Sequence, residues 1–140
     1  MTGLWVLLGA LVVAGALAWL LQAREGRIKA TASGSPADEL PEPVRAALAA
    51  APTVTLVQVS TTFCAPCRHA RAMLSRLADN TSGLAHVELD VTDTPEIATS
   101  LGVLRTPTTV AFTSDGVELL RVGGVPRRDT LIDALRPHLP

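Results

Sequence analysis

The chain has 140 residues, enough for one folded domain of ordinary size and an accessory segment. Its 12 Lys and Arg nearly balance its 13 Asp and Glu, for a net charge of −1. No overall charge excess therefore argues for nucleic acid or another polyanionic partner.

The first element is an apolar run. From Gly3 to Leu21 no residue is charged, and Leu4, Val6, Leu7, Leu8, Leu11, Val12, Val13, Leu17 and Leu20 make it apolar on every side. As a helix rising ~1.5 Å per residue it spans roughly 28 Å, close to the hydrocarbon thickness of a bilayer. Trp5 and Trp19 sit towards its two ends, where indole rings prefer the headgroup boundary. A cleaved signal peptide is the rival reading. It calls for a basic n-region, a shorter apolar core and a small-x-small cleavage site, whereas here no Lys or Arg precedes the core and Leu21, Gln22, Ala23 and Arg24 follow it. The expected organisation is a transmembrane anchor over residues 3–22, a linker over 23–40 and a folded domain over 41–140. Arg24, Arg27 and Lys29 follow the span while only the α-amino group precedes it, so the positive-inside rule puts the domain in the cytoplasm. An extracytoplasmic domain stays open as the alternative.

Residues 24–41 carry breakers (Gly26, Ser33, Gly34, Ser35, Pro36, Pro41) and no sustained apolar period, as a linker would. Val44, Ala47 and Leu48 then recur at helical spacing, with Pro52 as the stop. Val54 to Val59 reads as a short strand buried on both faces. From Pro66 to Asp79, Cys67, Ala70, Met73, Leu74 and Leu77 form one stripe, and Arg68, Arg71, Arg76 and Asp79 fall elsewhere, which predicts an amphipathic helix. A second strand is expected over Leu84–Val91 and a short helix over Pro95–Leu101, stopped by Gly102. Thr108–Phe112 and Val117–Val122, joined through Ser114, Asp115 and Gly116, predict a hairpin. Leu131, Ile132, Leu135 and Leu139 mark a last amphipathic helix. This order predicts an α/β sandwich with a mixed central sheet, its first two strands parallel and its hairpin on the other edge.

The chemistry falls at the first strand-to-helix junction. Cys64, Ala65, Pro66 and Cys67 form a CxxC holding the only cysteines in the chain. A cysteine at a helix N-terminus meets unpaired N–H groups and a partial positive charge, so its thiolate is stabilised. That position is Cys64. Helical spacing brings the second sulfur within disulfide reach, and Pro66 fits the first turn without losing a backbone donor. Cys67 lies on the apolar stripe and is expected to be shielded. Cys64 is then the attacking thiol and Cys67 the resolving one. A zinc site is the competing use of a CxxC, but there is no second CxxC, and His69, His86 and His138 stand at no familiar ligand spacing.

The stretch from about Val54 to Leu139 resembles thioredoxin. Phe63-Cys64-Ala65-Pro66-Cys67-Arg68 is similar to that family's active-site signature, Leu101 to Thr108 to its second signature, and Val122-Gly123-Gly124 to its third active-site loop. The resemblance implies a thioredoxin-like three-layer sandwich, which the expected transmembrane helix would precede. It implies Pro107 as a cis-proline beside the cysteines, Thr106 offering its backbone to the substrate chain, and Phe63, Ala65, Pro66 and Gly123 framing the substrate site. It also implies dithiol exchange with protein disulfides, regeneration by a thiol reductase or membrane electron donor, and no cofactor or metal beyond the cysteine pair. The departures are specific. Phe63 replaces the usual Trp, Ala65 the Gly, Gln58 stands where the family has a buried Asp, and Glu88 where it has a Lys. Glu88 is therefore the candidate for a relocated general base, expected in an apolar wall near Cys67. The Ala-Pro dipeptide is closer to the reducing members than to the oxidants. Arg68 and His69 are read as either supporting the thiolate or lining a solvated helix face. An interaction or chaperone-like module with regulatory cysteines, and an extracytoplasmic oxidant or isomerase, are the alternative functions.

Overall fold

The computed structural model describes residues 2–30, 39–50 and 53–140. The linker positions Ser33, Gly34, Ser35 and Pro36, and the expected helix stop Pro52, lie outside them. Helix α1 (Thr2–Arg24) comes first, and Gly3–Arg24 is long and apolar enough to cross a membrane by length and composition. None of that stretch is buried against the rest of the chain. Strand β1 (Ile28–Ala30), helix α2 (Glu42–Ala49), strand β2 (Val54–Ser60) and helix α3 (Ala65–Asp79) follow. Then come strand β3 (Leu84–Asp90), helix α4 (Pro95–Ser100), the hairpin of β4 (Thr108–Thr113) and β5 (Glu118–Gly123), and helix α5 (Arg128–Leu135).

The five strands form one sheet in the order β1-β5-β4-β2-β3. β2 and β3 are parallel with α3 as their crossover, while β4 pairs antiparallel with both β2 and β5. β1 is a correction to the sequence reading, which placed Ile28, Lys29 and Ala30 in the linker. They pair antiparallel with β5, Ile28 opposite Val122 and Ala30 opposite Leu120. Three residues carry no readable period, and their extended form comes from β5's free edge rather than from their own pattern.

All seven residues of β2 are buried, because it lies inside the sheet with helices on both sides. Alternation sends Val54 and Leu56 to one face, where they pack with Ala70, Leu74 and Leu77 of α3 and Leu131 and Leu135 of α5. Val57 and Val59 go to the other face, with Val44 and Leu48 of α2, Val110 and Phe112 of β4, and Ile97 against them from α4. The result is three layers, with aliphatic side chains supplying nearly all of the core volume. Met73 packs at the margin of the first of these clusters.

Candidate functional site

α3 begins where β2 ends, and the cysteines occupy that junction. Cys64 is the N-cap residue in extended conformation, and its sulfur accepts a hydrogen bond from the backbone N–H of Cys67 at 3.2 Å. Cys64 and Cys67 are joined by a disulfide with their Cα atoms 5.2 Å apart. Their surroundings differ: Cys64 is partly exposed, whereas Cys67 is only 2% exposed. Ala65 and Pro66 fill the first helical turn and face solvent, and Phe63 before them is 100% exposed.

Two further loops are tied together beside this junction. The Thr106–Pro107 peptide bond is cis, and Pro107 is buried. The Pro107 carbonyl accepts a 2.7 Å hydrogen bond from the N–H of Gly124, which has φ +84°, a conformation that side chains rarely adopt. The Thr106 hydroxyl lies 3.3 Å from that of Thr61, linking the proline loop to the end of β2. On the far side, Thr62 donates its N–H to Thr92 Oγ1. Hydrogen bonds from the side chain and then the backbone of Thr92 hold the exposed Asp90 carboxyl below its usual range.

Beneath the disulfide the core turns polar. Gln58 is fully buried, its Nε2 donating to the Cys67 carbonyl at 2.9 Å, its Oε1 lying 3.1 Å from Nε2 of His86. A carbonyl only accepts, so the bond to Cys67 fixes the amide's orientation and requires the proton to sit on His86 Nε2. In the neutral ring, Nδ1 then accepts from Ser75 Oγ at 3.0 Å. Burial is the main force pushing His86 below its ordinary value; Glu88 opposes that shift, Arg71 adds to it and Asp79 opposes it. The Thr109 hydroxyl, on the strand position opposite Gln58, is buried and makes no hydrogen bond among the described residues.

Glu88 is the strand partner of Gln58 on β3. The apolar wall expected around it is absent. Its carboxylate accepts from Ser60 Oγ at 2.8 Å and from Arg71 Nη2 at 3.0 Å, and forms an ion pair with the Arg71 guanidinium. Arg71 is a surface residue of α3 whose reach back to β3 could not be read from helical periodicity. Even so, Glu88, Arg71, Arg68 and Asp90 line one recess of about 270 Å³ together with Cys64 and Cys67. His69 is exposed and lines a neighbouring recess with Ala65, Pro66 and Arg68. The residue missed from the sequence was His86. Its signal was a histidine on β3, opposite Leu56 and within hydrogen-bond reach of Gln58 and Ser75, legible only once the sheet pairing is known.

A cysteine pair at a strand-to-helix junction, a cis-proline loop beside it and a three-layer α/β frame define a dithiol–disulfide exchange protein. The thioredoxin family model matches residues 41–137, so the chain belongs to the thioredoxin family. Thioredoxin of Staphylococcus saprophyticus is 32% identical over 87 residues, which cover 61% of this chain and 83% of that protein. Thioredoxin of Staphylococcus aureus is 33% identical over the same coverage. Among solved structures, a mutant thioredoxin from Halobacterium salinarum superposes with a TM-score of 0.63 at 24% identity, covering 77% of this chain and 97% of that one. Fasciola hepatica thioredoxin superposes with a TM-score of 0.53 at 22% identity, covering 89% and 93% of the two chains. The protein is a thiol-disulfide oxidoreductase whose redox group is its own cysteine pair.

Proposed function

We propose that this is a membrane-tethered reductant of protein disulfides, with Cys64 as nucleophile and Cys67 as resolving thiol. The observation that carries the assignment is the asymmetry of the pair: Cys64 is partly exposed and accepts an N–H from the helix terminus, while Cys67 is buried. In the reduced protein the Cys64 thiolate attacks one sulfur of a substrate disulfide, forming a mixed disulfide and expelling the first substrate thiolate, which takes up a proton. Cys67 gives up its proton and attacks Cys64 Sγ, expelling the second substrate thiolate and leaving the Cys64–Cys67 disulfide. Two electrons and two protons pass to the substrate. A dithiol donor of lower potential, a reductase or a membrane partner, must then restore the reduced pair.

In this reading Phe63, Ala65, Pro66, Thr106 and Gly123 frame the substrate chain, with Pro107 beside the sulfurs. Glu88 shares its recess with Cys67 and accepts the resolving proton. Glu88→Gln should slow mixed-disulfide resolution by about 10²-fold, the low end of general-base effects, without changing Cys64 alkylation. An unchanged resolution rate removes Glu88 from the mechanism.

The redox direction is tested by equilibrating the full chain with glutathione. A potential nearer ~−270 mV than ~−120 mV is expected, and a value above about −180 mV would make the protein an oxidant or isomerase. Supporting the tether are the length and apolarity of α1 and the basic residues that follow it. Those residues favour a cytoplasmic domain by the positive-inside rule, and in this reading protease added to intact spheroplasts should spare residues 41–140. Digestion would put the domain outside.

A further inference from the structure

The turn after α1 is joined to the sheet near the active site. Gly26 donates its N–H to the Gly123 carbonyl at 3.0 Å, and β1 continues along β5 with Lys29 opposite Arg121. This packing draws together basic residues that are far apart in sequence. Arg24, Arg27, Lys29, Arg105 and Arg121 line one cavity of about 420 Å³, and among the described residues no acidic side chain lines it. Glu118 neutralises Arg121, which also donates to the carbonyls of Leu101 and Gly102. The guanidinium groups of Arg24, Arg27 and Arg105 have no carboxylate or hydrogen-bond partner among the described residues, although the Arg105 carbonyl accepts from Thr108 Oγ1.

Gly123 leaves the room that Arg105 occupies there. A Cβ on Gly123 would stand 2.9 Å from both Nε and Nη2 of Arg105, so only glycine lets the guanidinium lie over the end of β5. Three guanidinium groups around one cavity, without a partner among the described residues, repel one another, and an anion with several acceptor oxygens relieves that repulsion while taking up their planar donors. Two features point to a lipid rather than a free anion. Arg24 is the last residue of the apolar helix, so the cavity opens where that helix would leave the bilayer. Leu104, on the cavity wall, is 99% exposed and offers an apolar edge beside the cations.

We propose that this cavity binds the phosphodiester headgroup of an anionic phospholipid. The proposal rests on the membrane-tethered reading of α1. The near-zero net charge of the chain conceals the site, because the cations converge only when β1 pairs with β5. Arg105 precedes Pro107 by two residues, so a bound headgroup would also hold the proline loop and its neighbouring disulfide towards the membrane surface.

The test reconstitutes the full chain in nanodiscs of phosphatidylcholine alone or of phosphatidylcholine with phosphatidylglycerol, and maps arginine labelling by a dicarbonyl reagent. Arg105 and Arg27 should be protected several-fold by phosphatidylglycerol while the distant Arg76 is labelled equally in both. Arg27→Gln should reduce the protection of Arg105. Equal labelling of Arg105 in the two lipids, or protection of Arg76 to the same degree, overturns the site. Inorganic phosphate added to phosphatidylcholine nanodiscs forms the second arm: protection as complete as that by phosphatidylglycerol overturns the lipid assignment in favour of a free phosphate. Flotation with vesicles reads the tether separately. A chain that floats without lipid-specific protection refutes the headgroup site alone, and one that fails to float refutes the tether and the lipid assignment with it.

Discussion

On the side of β2 that faces α3, the two ends of the strand have opposite surroundings. Val54 and Leu56 pack among Leu74, Leu77, Leu131 and Leu135 in an apolar cluster. Gln58 and Ser60, further along the same face, are also buried but bond to the Cys67 carbonyl, to His86 and to Glu88. A buried polar group that keeps its partner contributes roughly 1 kcal/mol net, and one that loses it costs about 1–3 kcal/mol. The polar end is therefore no better for stability than aliphatic packing would be. Its position under the disulfide is its distinguishing property.

The largest stability effect should come from the apolar end. Leu74→Ala leaves a cavity in a fully buried cluster and should cost about 2–5 kcal/mol in urea unfolding, with Cys64 reactivity in the remaining folded protein unchanged. A comparable change in Cys64 reactivity would show that the two ends are not separable.

Next in size is the polar end. Gln58→Leu keeps the volume but deprives the His86 Nε2 proton of its acceptor, for an expected loss of about 1–3 kcal/mol. Adding His86→Leu removes the donor left without an acceptor and should recover part of that loss, the Cys67 carbonyl staying without its Gln58 donor. If the double variant is as unstable as the sum of the single ones, the pair is not coupled through this bond.

A smaller effect is the pH dependence set by His86, whose pKa is lowered in the folded protein mainly by burial. Between the folded value and the ordinary value of about 6.5 the unfolded chain binds a proton that the folded one does not. Stability therefore falls as pH drops below about 6.5 and levels off once the folded ring protonates. Urea midpoints measured from about pH 7.5 down to about pH 5.5, across that ordinary value, should show this decline, and His86→Gln should flatten it. An equal slope in the variant would move the cause elsewhere.

The contrast also marks what could be read from the sequence. The strands, the α3 stripe and the CxxC were legible because each is written in neighbouring residues: a run of β-branched side chains, a 3.6 period, a fixed spacing. The polar floor was not. Gln58 meets Glu88 only through the register of two strands, Ser75 meets His86 across a helix-to-strand contact, and Arg71 leaves the solvent side of α3 to reach β3. β1 was invisible for the same reason, since its pairing with β5 spans nearly the whole domain. Spacing predicts which residues share a face, whereas register decides which of them meet.

The two sulfurs have unequal environments, with Cys64 at the helix terminus and Cys67 above the Gln58 floor. The direct measurement is the alkylation rate of each cysteine in the reduced full chain across pH, resolved by peptide mass spectrometry. Cys64 should react much faster than Cys67 at neutral pH, with a midpoint below the ~8.5 of a free thiol. Equal rates for the two, or faster labelling of Cys67, would contradict that asymmetry.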